Sequence, residues 1–118
     1  MATFSKQFLS GSTNGQPQKV GSTSSGSGAS FHVCPAGTTS MDEIWLWATN
    51  SDTTSRKLTV CLGGLVVPTH EIEVSIPPES GLVLVVPGLV LNNGLALRLF
   101  ADVADVVCVS GYVNRITA

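Results

Sequence analysis

The chain has 118 residues, of which 43% are hydrophobic and only 12% charged, with a formal net charge of -2. That length suits one compact domain with a single core, and the charged fraction is roughly half of the usual value of about 25%, so much apolar surface must be covered. The six basic residues Lys6, Lys19, Arg56, Lys57, Arg98 and Arg115 are scattered, no run nears the ~18 apolar residues of a membrane span, and MATFSKQFLS lacks a signal-peptide core, so neither nucleic acid nor membrane is an expected partner and a cytoplasmic site of synthesis is expected.

The first 28 residues read as a flexible Gly/Ser-rich arm. Residues 11–30, GSTNGQPQKVGSTSSGSGAS, carry Lys19 as their only charge, a composition that cannot bury enough apolar surface to pack alone. Phe4, Phe8 and Leu9 precede this tract, and the expectation is that they hook a neighbouring molecule.

From residue 29 to residue 118 the sequence predicts one β-sandwich. Short runs rich in Val, Leu and Ile follow one another: FHVC at 31–34, EIWLWAT at 43–49, KLTVCL at 57–62, EIEVSI at 71–76, GLVLVV at 81–86, LALRLFA at 95–101 and DVVCVSGYVNRI at 105–116. Turn residues separate them at intervals near ten residues, the pattern of an all-β sandwich. Pro77-Pro78 ends one strand, Pro87-Gly88 is expected to end another, and Asn93-Gly94 is a hairpin signal.

Two runs are apolar on both faces. In EIWLWAT, Ile44, Leu46 and Ala48 alternate with Trp45 and Trp47, and in GLVLVV every residue from Leu82 to Val86 is apolar. A sandwich strand offers one face to the core, so the other face, with Trp45 and Trp47 as anchors and Val83 and Val85 beside them, is predicted to be covered by another subunit. One Trp in the core and one under a loop is the alternative.

No residue set predicts catalysis, a cofactor or a metal. His32 and Cys34 share a strand face, but no neighbour in the sequence orients the imidazole; His70 and Glu71 fall on opposite faces. Cys34, Cys61 and Cys108 lie far apart and read as buried free thiols.

The phrases DEIWLWATNSD, IPPESGLVLVVPGL, NNGLALR and VSGYVNRI, together with the opening SGSTNGQPQKV, resemble small virion proteins of tailed bacteriophages and prophages. The resemblance implies a jelly-roll-like capsid decoration or cement protein, often a homotrimer, that clamps the major capsid protein in the virion. Neck, connector and tail proteins of this size are alternatives within the same class. From a different class, a carbohydrate-binding module is the competing expectation, because β-sandwiches with exposed Trp stack sugars; a cytoplasmic enzyme subunit is a weaker third.

Overall fold

A computed structural model describes residues 2–24 and 30–118. Nine strands run in chain order: β1 Thr3–Phe8, β2 Gln18–Lys19, β3 Ser30–Val33, β4 Ser40–Asn50, β5 Arg56–Leu62, β6 Glu71–Ile76, β7 Val83–Leu91, β8 Ala96–Ala101 and β9 Val107–Thr117. They form two antiparallel sheets, sheet A in the order β1-β9-β4-β7 with β2 also on β9, and sheet B in the order β3-β8-β5-β6. The protein is an all-β sandwich. Among the described residues there is no helix, and so none long and apolar enough to cross a membrane.

Period-two alternation builds the core. Ile44, Leu46 and Ala48 of β4 and Val107, Val109 and Val113 of β9 point inward from sheet A, and Leu58, Val60, Leu97, Leu99 and Ala101 answer from sheet B. On β6, Ile76 is buried while Glu73 and Ser75 face water, and the strand stops at Pro77, which has no N–H for the ladder.

The expected arm is not free. Thr3–Phe8 pairs along its whole length with Thr117–Tyr112 of β9, and Gln18–Lys19 resumes the same edge opposite Val109–Cys108. Between them residues 9–17 cross to sheet B, where the Gly11 N–H donates to the Phe31 carbonyl and the Val33 N–H donates to Ser10 Oγ. Leu9 and Val20 are buried in the core. This segment therefore closes one open side of the sandwich, and two buried apolar residues, Leu9 and Val20, suffice in a polar tract because β9 supplies the backbone partners. The expected boundary at residues 28 and 29 lies outside the described residues.

Two turn expectations are also corrected. β7 does not end at Pro87-Gly88; it runs on to Leu91 through two register shifts against β4. As an edge strand it pairs on one side only, which is where a proline and bulges are tolerated. Asn93 and Gly94 both adopt positive φ, and the Leu95 N–H donates to the Asn92 carbonyl, as a tight hairpin turn requires. The turn nevertheless joins β7 to β8 on opposite sheets.

Candidate functional site

The residues that β4 does not send inward assemble, with those of its neighbours, into the outer face of sheet A. The pairing of β1 with β9 and of β9 with β4 sets three rows across the sheet: Phe4, Ile116 and Met41; Lys6, Asn114 and Glu43; Phe8, Tyr112 and Trp45. Trp47 follows along β4, with Leu84 of β7 opposite it. Phe4 is 72% exposed, Phe8 62% and Val90 51%, which sets this face apart from the wet, polar outer face of an ordinary sandwich strand.

The aromatic rings are ordered among themselves. Trp47 lies nearly parallel to Trp45 at 6.3 Å between centroids and to Tyr112 at 6.0 Å, and Lys6 Nζ sits 4.7 Å above the Tyr112 ring. Trp45 Nε1 donates to Glu43 Oε1 at 2.7 Å and Asn114 Nδ2 donates to the same oxygen at 3.1 Å; these two hydrogen bonds hold the Glu43 carboxyl below its ordinary pKa. Glu43 is thus an anion fixed in the centre of the face. Beside it Lys6, Phe8, Asn14, Gly15 and Tyr112 line an open groove of about 540 Å³.

Of the residues expected at an interface, the structure brings Phe4, Phe8, Trp45 and Trp47 together here. Leu9 and Val85 are buried, 1% and 5% exposed, and line no outer surface. Leu9 turns inward where the chain leaves β1, and Val85 is the extra residue of a β7 bulge, between Val86 opposite Leu46 and Leu84 opposite Trp47. Val83, opposite Ala48, is half-buried against the core. The sequence reading missed Lys6, Met41, Tyr112 and Ile116. The alternation Tyr112, Asn114, Ile116 was visible, but only the β9 register sets it beside the tryptophans.

A second, buried cluster ties the two sheets together. Asp42 of β4 receives Arg115 of β9 through Nε at 2.9 Å and through its terminal nitrogen at 3.1 Å, and lies 2.6 Å from His32 Nε2 of β3. The Ser10 N–H donates to His32 Nδ1 at 3.0 Å, so Nδ1 carries no proton and Nε2–H donates to Asp42. The imidazole is oriented after all, by a carboxylate ten residues away and a backbone amide from the N-terminal segment, neither of which local spacing reveals. Burial alone would raise the Asp42 pKa, but the hydrogen bonds from Arg115 and His32 outweigh it and hold the carboxyl below its ordinary value.

This cluster is built as a staple. Donor atoms of His32, Cys34 and Asp42 lie within 4.8 Å of one another, but both imidazole nitrogens are engaged, leaving no lone pair to hold a cation or to take a proton from Cys34. Burial and then the Asp42 charge push the Cys34 thiol up to about 11, so it stays protonated near neutral pH.

The fold and these two sites define a class: a small all-β sandwich with a stapled interior and an exposed aromatic sheet face. No family profile matches the chain, and no curated protein or solved structure matches it either.

Proposed function

We propose that this protein is a non-enzymatic structural protein of a tailed-phage virion, a decoration or cement protein that bridges neighbouring subunits of the head shell. One observation carries the reading: a small sandwich exposes two separate apolar surfaces, and bridging needs two. The first is the outer face of sheet A. The second is the sandwich end where the β5–β6 loop holds Leu65, Val66 and Val67, 41%, 59% and 67% exposed. That loop is held in shape, since the Val66 N–H donates to His70 Nδ1 and the His70 N–H donates to the Val66 carbonyl.

The strand order supports the same reading. Apart from β5 and β6, successive strands from β2 onward alternate between the sheets, giving two four-stranded layers with β1-β9-β4-β7 facing β3-β8-β5-β6. This interleaving is jelly-roll-like, an architecture shared by capsid and lectin domains. The basic side chains Lys19, Arg56, Lys57 and Arg115 pair with carboxylates, in keeping with a partner that is protein rather than nucleic acid. Bridging of this kind works through multiplicity, because each contact becomes effectively intramolecular once its neighbours are made.

Electron microscopy of purified particles tests the placement. Density for this chain on the shell axes is the expected result; density confined to the tail vertex makes it a neck or tail protein, and particles without it overturn the virion reading. The parallel rings of Trp45, Trp47 and Tyr112 on one outward face favour a second reading, a carbohydrate-binding module. Calorimetric titration with oligosaccharides decides it: saturable binding that Trp47→Ala abolishes would replace the first reading.

A further inference from the structure

We infer that the occupant of the outer face of sheet A is a second copy of this chain, packed face to face about a two-fold axis that runs along β9. The inference rests on the reading of that face as a contact surface and names its partner; the pair then offers two β5–β6 loops, one to each of two neighbouring shell subunits.

The argument lies in the rows. A two-fold axis lying between the faces along β9 keeps each row at its own height and exchanges its two flanks. Lys6, on the β1 side of Asn114, then faces Glu43 of the second copy, and Glu43 faces Lys6 of the second copy. In the same operation Phe8 meets Trp45, Phe4 meets Met41, and Tyr112 and Ile116 each meet themselves. Every row is its own complement, in charge and in apolar character.

Charge sharpens the choice of partner. Among the described residues Lys6 makes no ion pair within its own chain, only the contact above Tyr112, and Glu43 is held as an anion by two donors that do not neutralise it. A single copy leaves one unpaired cation and one unpaired anion in an aromatic surface. Two copies pair both, twice. The Phe8, Gly15 and Tyr112 side of the groove lies on the flank that Trp45 and Trp47 of the second copy would cover.

The size sets what must hold the pair. About an axis along β9 the strands β1, β9 and β4 of each copy overlap and β7 overhangs, so at about 4.8 Å per strand and ~3.4 Å per residue from Met41 to Thr49 the shared face measures roughly 400 Å² per copy, about 800 Å² for the pair. That is the low end of interface sizes, and the aromatic residues at its centre and the two charge pairs must carry the association.

Charge reversal tests this directly by sedimentation at micromolar concentrations. The unaltered protein is expected to be a dimer. Lys6→Glu alone and Glu43→Lys alone each place like charges together twice and should weaken association by about a hundredfold. An equimolar mixture of the two variants should recover the dimer, because unlike copies restore both pairs. Phe8→Asp, at a side chain 62% exposed and outside the core, should dissociate the pair into monomers that still unfold cooperatively, with a melting temperature that no longer depends on protein concentration, which separates loss of association from loss of folding. A monomeric or trimeric parent protein, reversals without effect, or variants that fail to recombine would overturn the inference. A dimer that does not bind shells would overturn the virion placement alone, and a monomer that does would overturn the pair alone.

Discussion

Asp42 is buried, holds an ion pair with Arg115 and bonds His32 across the two sheets, so its charge belongs to the folded state. Its pKa is depressed on folding; the stability it contributes is therefore present above the unfolded value of about 3.9 and lost as pH falls through the lower folded value. Thermal unfolding followed from pH 7 into this acid range should show the melting temperature of the parent falling, and Asp42→Asn should cost about 3 kcal/mol at neutral pH and flatten that fall. An Asp42→Asn protein with the parent's acid profile would show that the Asp42 charge does not hold the two sheets together. Leu9 and Phe4 make a contrasting pair, both apolar and both N-terminal. Leu9→Ala opens a cavity and should cost about 2–5 kcal/mol in denaturant unfolding, whereas Phe4→Ala should leave the isolated fold within about 0.5 kcal/mol. Equal costs would mean that residue 9 is not in the core. Gly111 shows the same dependence on surroundings: a Cβ there would lie against the Trp45 carbonyl oxygen and Leu46 Cα. VSGYV alone gives no sign of that crowding.

At the scale of elements, β1 and β2 are the main departure from expectation. Their composition reads as an unpacked tail because β1 is exposed along its whole length; its energy comes from backbone pairing with β9, which leaves no mark in its own side chains. Deleting residues 1–28 removes that edge strand together with Leu9, Val20 and the Ser10 bonds to β3. The truncated chain should melt at least about 10 °C lower or lose cooperative unfolding altogether. An unchanged melting temperature would restore the segment to the status of a dispensable arm. β4, β5, β6 and β8 were legible because alternation and flanking turn residues agree. β7 was legible only to Pro87, since whether a proline ends a strand depends on whether that strand lies at a sheet edge, a property of the assembled sheet. Similarly, Asn93-Gly94 specifies a tight turn, and the sheet that each flanking strand joins is decided by packing.

In the whole molecule, the two sheets bury one apolar face of each strand, and the alternating pattern that builds the core also leaves Phe4, Phe8 and Val90 exposed on the outer face of sheet A. The sequence by itself determined that this is an all-β sandwich, that the centre of β4 is apolar on both faces and that Trp45 and Trp47 share one of them, because period two and hydrophobic content are local properties of the chain. It also carried the resemblance on which the virion reading rests. Only the tertiary structure decided that Leu9, Val20 and Val85 belong to the core, that His32, Asp42 and Arg115 meet, and that Lys6 and Glu43 flank Asn114 in one row. Each of these depends on strand register and on which strands become neighbours, and those are settled by long-range packing between segments up to a whole chain length apart.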